Sequence, residues 1–355
     1  MDRNYLPGYN QGMARPSPAL ISVPWTAELA SALEAAALAI ARLDARISVS
    51  SVATAWSLRA AWSGYATALQ LQGVEIDEAD VFSWGTGVHL PGRQQRSSLD
   101  DPFSAFDPWR RALAAIGHHW QEQLPFTPEL SDGFAAAPAL LRAWEITRQF
   151  TQADRSILPW LWFPILLHRM GITQCPLPAL ACGDKALRFG TLQPGPQCLR
   201  LLRQMTKAAD RSLATLTMIE DDRRRAIAVF AALHRPGQLT TLAVALLHHP
   251  VTSPDRTAET LGLTLSGAGK LLERAAKVGL VREVSGRRSW RVYAAPDVAV
   301  ALGLAPALRG RPRKSVQPAA PPKEVEDILA TFDREMAEFD SRFGTITVPE
   351  NDGIA

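Results

Sequence analysis

Few side chains in this 355-residue sequence are spaced for catalysis or metal binding. His118-His119 and His248-His249 are adjacent pairs, and neighbours along a helix do not face one another. The second pair reads instead as the basic end of a helix, where positive charge suits the dipole. His168 with Cys175, Cys182 and Cys198 could collect a zinc ion. The spacings are unlike a short-knuckle ligand set, however, and Pro176 and Pro178 intervene, so no metal is expected. Glu75, Asp77, Glu78 and Asp80 form the densest carboxylate cluster of the first half. On one helix face, Asp77 and Asp80 could hold a cation or act as acid and base, but the run reads first as an acidic helix start with a solvated face. Glu220-Asp221-Asp222 followed by Arg223-Arg224-Arg225 reads as a self-paired charged helix surface. There is no Gly-x-x-x-x-Gly-Lys loop, no Gly-x-Gly-x-x-Gly after a strand, no His-Glu-x-x-His and no Gly-x-Ser-x-Gly. Neither an enzyme nor a cofactor is expected.

The chemistry that does stand out is cationic. A helix over Ser266–Val278 would bury Ala268, Leu271, Leu272, Ala275 and Val278, leaving Ser266, Gly267, Lys270, Arg274 and Lys277 to face a DNA major groove. Behind it, Arg287 and Arg288 sit at the tip of an expected hairpin, placed for phosphates or the adjacent minor groove. Farther on, Arg309-Gly310-Arg311-Pro312-Arg313-Lys314 resembles the core of an AT-hook. A narrow A·T-rich minor groove concentrates negative potential and admits Arg309, Arg311 and Arg313. Gly310 has no Cβ to hold the backbone off the groove floor, and Pro312 keeps the segment extended toward phosphates with Lys314.

Elements must position these groups. Residues 1–16 read as a flexible tail. Across 17–235 the chain is rich in Ala and Leu at helical spacing: Leu29, Leu33, Ala36, Ile40 and Leu43 step by four, three, four and three. Similar patterns recur at Val52–Leu71, Pro108–Trp120, Pro138–Phe150, Ile157–Met170 and Gln197–Leu233. Residues 236–303 have a more specific order. Gln238–His249 is a short apolar helix. Ser253-Pro254-Asp255 starts a second helix with a hydroxyl cap, Pro in the first turn and an acid. Gly262 ends that helix and Gly279 ends the next. Leu280–Val284 and Trp290–Ala294 then read as strands about a turn on Gly286. That order is a winged helix-turn-helix. Residues 304–322 form a linker carrying the AT-hook-like stretch. In 323–344, Val325, Ile328, Leu329, Phe332, Met336, Phe339 and Phe343 make one apolar stripe of an amphipathic helix, and 345–355 read as a second flexible tail. The expected fold class is mainly α: a helical N-terminal domain, a winged helix-turn-helix domain and a C-terminal amphipathic helix.

The stretch His249-Pro250-Val251 through Arg291-Val292-Tyr293, with Thr257–Leu263 and Val278–Arg287 inside it, is similar to the winged helix at the C-terminus of many Fic-domain proteins. Ala41-Arg42-Leu43-Asp44 after an apolar helix resembles the start of such chains. In layout the sequence resembles a bacterial family in which a helical domain of unknown function precedes a helix-turn-helix domain. Fic enzymes move a nucleotide onto a hydroxyl with a His-x-Phe-x-(Asp/Glu)-Gly-Asn-Gly-Arg loop. No histidine here is followed by it; the nearest, His89-Leu90-Pro91-Gly92-Arg93, lacks the acid and the Asn-Gly pair. The resemblance therefore carries over no catalytic residue. The alternatives kept beside DNA binding are a Fic-related nucleotidyl transferase with a divergent or lost loop, and a winged helix used as a protein-interaction scaffold.

Charge distribution agrees with the DNA reading. The net charge is only +3, but residues 251–314 hold 12 basic and 5 acidic residues while 315–355 hold 3 and 9. The start of the chain shows no signal-peptide pattern. The most apolar window, Ile157–Leu167, is broken by Pro159 and Pro164 and is shorter than the roughly 20 residues of a spanning helix. Three cysteines make no disulfide framework, which fits reduced thiols in the cytoplasm. The expected partner is DNA, A·T-rich at the hook, with no membrane. The stripe of 323–344 either docks on the helical domain or pairs with a second copy of the chain, and the helical domain either forms a homodimer, senses a ligand or contacts a partner.

Overall fold

The computed structural model describes residues 23–91, 101–115, 119–122, 124–130, 133–189, 193–287 and 290–306. The expected tail 1–16, Arg288, the AT-hook-like stretch 309–314, the amphipathic stretch 323–344 and the final segment 345–355 lie outside the described residues.

Helical spacing in the first half becomes helices whose apolar stripes meet. Thr26 caps α1 (Ala27–Val49) by accepting from the Leu29 N–H at 3.1 Å, and Leu29, Ala36, Ile40, Leu43 and Ile47 turn one stripe inward. α2 (Ala53–Gln72) is buried on more than one face, with Trp56, Trp62 and Tyr65 all enclosed. Two of its polar ring groups find acceptors: Trp56 Nε1 donates to Ser212 O at 3.1 Å, and Tyr65 OH to Pro102 O at 2.7 Å. α3 (Glu78–Thr86) and α4 (Phe106–Ala114) add aromatic weight beside α2, and α5 (Ala139–Ala153) packs on α6 (Leu158–Arg169). α6 continues through Pro164, in keeping with the helical pattern read over Ile157–Met170. Pro159 lies in the first turn, where its missing N–H costs nothing, and Pro164 is held by burial of Trp160, Leu161, Phe163 and Ile165 around it. After the short α7 (Ala186–Phe189), the 39-residue α8 (Pro194–Ala232) lies along α1. Gly64 is required for one close approach, because a Cβ there would run into the Pro178 carbonyl.

The second half begins with α9 (Leu239–His248) and a two-residue strand, β1 (Val251–Thr252), that the sequence did not announce. α10 (Pro254–Leu261) starts on Ser253, whose hydroxyl accepts from Arg256 N at 3.2 Å, and ends on Gly262 at φ +65°. Thr264 caps α11 (Leu265–Lys277), accepting from Gly267 N at 3.1 Å. β2 (Arg282–Glu283) and β3 (Tyr293–Ala294) complete an antiparallel sheet in the order β1-β3-β2, with Val251 and Arg282 both in register with Ala294. α12 (Pro296–Ala301) follows. The paired strands are shorter than the sequence suggested, and Trp290 falls in the loop rather than on a strand. Glu283 draws the turn together, its carboxylate accepting from Ser285 N and Gly286 N at 2.9 Å each.

The described protein is mainly helical and, through Pro306, forms one compact unit. Val251, Val292, Ala294, Val298 and Ala299 share a buried cluster with Trp62, Tyr65, Phe82 and Trp160 of the first half. A separate cluster of Leu239, Leu242, Leu246, Leu272, Val281 and Tyr293 ties α9 and α11 to the sheet.

Candidate nucleic-acid interface

Periodicity decides what α11 shows to solvent. Ala268, Leu271, Leu272 and Ala275 are buried, as their spacing requires, and Val278 is half-buried just past the helix end. Ser266, Lys270 and Lys277 are exposed on the opposite side, and Gly267 is half-buried at its edge. Arg274 is exposed at the other margin, where its Nη2 donates to the Arg235 carbonyl at 2.6 Å. It is thus tied to the link between α8 and α9. Arg287 is exposed in the hairpin loop. The structure brings Ser266, Gly267, Lys270, Arg274, Lys277 and Arg287 onto α11 and the loop beside it. Arg288, Arg309, Gly310, Arg311, Pro312, Arg313 and Lys314 lie outside the described residues.

Sequence reasoning overlooked how the hairpin is held. Arg291 Nη1 reaches Glu273 Oε1 of α11 at 2.7 Å. An exposed pair of this kind adds little stability. It does fix the loop against the helix, and it cancels a carboxylate that a polyanion would meet on this face. A hydrogen bond involving Tyr293 first, and then the one to Glu273, raise the Arg291 pKa above its ordinary value. No sequence signal foretold the pair, because its two members belong to different elements whose approach the turn decides.

A groove of about 870 Å³ runs beside this face. The N-terminal side of α11, with Leu265, Gly269 and Glu273, forms one wall, and Arg287, Trp290 and Arg291 of the hairpin another. A third wall is Gly87–Pro91, the segment after α3, with the first turn of α10 below. Trp290 is 80% exposed at φ +59°, a backbone region that bulky residues rarely adopt, and Leu265 is 56% exposed. Cations and carboxylates balance along the groove: Arg256 pairs with Glu259 at 2.7 Å, and Asp255 lies near. The excess positive charge therefore belongs to the outward face of α11, not to the groove.

The other polar clusters have structural roles. Asp77 and Asp80 cap α3 reciprocally, each accepting from the other's backbone N–H at 3.0 and 3.1 Å. His168 Nδ1 lies 3.0 Å from Thr173 O, and His248 Nδ1 lies 3.1 Å from Val244 O in the same helix. Burial pushes the Cys182 and Cys198 thiols up to about 12, which removes them from thiolate chemistry. Among the described residues, no three His, Cys, Asp or Glu side chains are placed to hold a metal ion, and no helix is long and apolar enough to cross a membrane.

No protein-family model matches the chain, and no curated protein matches it.

Proposed function

We propose that this chain is a DNA-binding protein acting in transcription regulation, with residues 236–303 working as a winged helix. The observation that carries the reading is the uncovered polar face of α11. Ser266, Lys270 and Lys277 project there, and the hairpin is clamped beside them through Glu273 and Arg291. The order helix, strand, two helices and hairpin, with strand order β1-β3-β2, supports this reading. In this reading α11 enters the major groove, Arg287 meets backbone phosphate, and the stretch Arg309–Lys314 grips an A·T-rich minor groove. Linking two modest modules raises avidity through effective concentration.

Titration of the full chain onto A·T-rich and G·C-rich duplexes tests this. Binding is expected to fall steeply with salt, in proportion to the phosphates neutralised, and replacing Arg309 and Arg311 by Ala is expected to abolish preference for A·T-rich sites. Absence of duplex binding at about 0.15 M salt overturns the proposal. Survival of the preference in the double variant overturns the minor-groove assignment alone.

One observation favours a second reading, a scaffold that binds protein. Leu265 and Trp290 present exposed apolar surface to a charge-balanced groove, and aromatic anchors of this kind dominate protein interfaces. Loss of a protein contact in Trp290→Ala, with duplex binding unchanged, would mark the groove as a separate surface.

A further inference from the structure

Arg59 of α2 sits where four helices meet, its side chain only 3% exposed. Nη2 and Nε donate to Leu246 O and Leu247 O at 3.0 Å each, closing two of the carbonyls that the end of α9 leaves open. Nη1 donates to Asp297 Oδ2 in the first turn of α12 at 3.1 Å. A second carboxyl reaches the same place: Asp222 of α8 is within hydrogen-bonding range of Asp297. The two carboxyls are 13% and 7% exposed.

Their oxygens are short of donors. Asp222 Oδ1, Asp222 Oδ2 and Asp297 Oδ1 are all buried without a hydrogen-bond donor. Arg225 Nη2 approaches Asp222 Oδ1 to 2.9 Å, an ion pair by distance whose geometry is not that of a hydrogen bond. Two ionised carboxylates side by side in such a site repel, and each unmatched oxygen carries a desolvation cost. A single proton between them supplies the missing donor and removes the repulsion.

We propose that Asp222 and Asp297 share one proton, and that this proton fastens α8 to α12 and so sets how firmly the hairpin-bearing half is held on the helical half. Burial first, and then the hydrogen bond to Asp297, push the Asp222 carboxyl up to about 7, against the opposing pull of Arg225 and Arg59. The charged groups facing it are Arg59 from α2, Asp297 from α12 and Arg225 one turn along α8, while α9 presents its Leu246 and Leu247 carbonyls to Arg59. Arg223, which lines the same cavity, is drawn away to Ser51 Oγ at 2.9 Å. That cavity, about 190 Å³ between α8 and α9, is walled by Ile227, Phe230, Val244 and Leu247, with Asp222 and Arg59 at one side. It gives the carboxylate room to move, or water room to enter, once the proton has gone. A carboxyl raised from 3.8 to about 7 contributes stability that is fully present below 3.8. The contribution is lost progressively as pH rises to 7 and then levels off. The proton therefore leaves the native protein near neutral pH, and the fastening loosens there.

This proposal is independent of DNA binding. Its test is the carboxyl titration of the full chain by NMR from about pH 5 to about pH 9, with amide hydrogen exchange of α12 compared at matched intrinsic rates. One carboxyl is expected to titrate near 7, and α12 is expected to lose protection across the same interval. Asp297→Asn should shift that titration to lower pH. Asp222→Asn, whose amide can donate to Asp297 at every pH, should abolish both the titration and the loss of protection. Carboxyls fully ionised from pH 5 upward would overturn the proposal, and this measurement on the unaltered chain decides even if a variant fails to fold. An α12 exchange profile unchanged by Asp222→Asn would overturn it equally.

Discussion

Glu273 and Lys270 lie on the same outward stretch of α11, three residues apart and opposite in charge. If DNA lies on this face, they must act in opposite directions. Lys270→Ala is expected to weaken duplex binding to about the same degree on every sequence and to lower the salt slope by about one. Glu273→Gln frees Arg291 and deletes a negative charge, so affinity is expected to rise a few-fold with stability little changed. Fluorescence anisotropy at several salt concentrations reads both, and a Glu273→Gln chain that binds no more tightly would place the DNA elsewhere. The exposed lysines were legible in the sequence because helical periodicity alone assigns their face. Asp222 was not. In the run Glu220–Arg225 it looks like one more surface charge, and two of the pairs expected there do form, Asp221 with Arg224 and Asp222 with Arg225. Its burial comes from Arg59 and Asp297, residues remote in sequence that only the fold brings near.

Elements were legible in proportion to their length and their end signals. The long helices have many turns over which a stripe repeats, and α10 and α11 carry caps that can be read directly, Ser253-Pro254-Asp255 and Thr264. β1 has two residues, too few to alternate, and its pairing with β3 is a tertiary matter. α12 could have been found. Pro296-Asp297 repeats the proline-acid start of α10, although Ala295 offers no capping side chain. What the sequence could not show is where helices touch closely. Gly64 faces the Pro178 carbonyl, a backbone group that cannot swing aside. Gly64→Ala would gain helix propensity inside α2, worth about 1 kcal/mol. It would also force α2 off the 178–180 turn, an overpacking cost of about 1–3 kcal/mol. Because the first term favours the variant, a net loss in thermal or urea unfolding is the informative result. A more stable Gly64→Ala would mean that the two elements have freedom to separate.

At the scale of the whole molecule, the helical half and the hairpin-bearing half share buried surface rather than merely adjoining. Val251, Val292, Ala294, Val298 and Ala299 pack in one cluster with Trp62, Tyr65, Phe82 and Trp160, and Arg59 adds a buried polar tie between the same halves. Cutting the chain before residue 236 would expose that apolar cluster on both sides and leave Asp297 without its guanidinium. It would also leave the α9 carbonyls of Leu246 and Leu247 without their donor. Each fully exposed Val-sized side chain forfeits about 1.5–3 kcal/mol, and five such residues, two of them only Ala, approach the whole stability of a typical domain, about 5–15 kcal/mol. A fragment of residues 236–306 is therefore expected to be largely unfolded or self-associated, even though it contains every helix and strand of the proposed winged helix. The full chain is expected to lose its near-ultraviolet tryptophan signal and its helical far-ultraviolet signal in one coincident transition. A fragment that folds as a monomer, or two separated transitions in the full chain, would show the shared cluster to be a docking surface between independent domains. Shared proton and shared core then act together: loosening α12 at neutral pH would soften the joint without releasing either half.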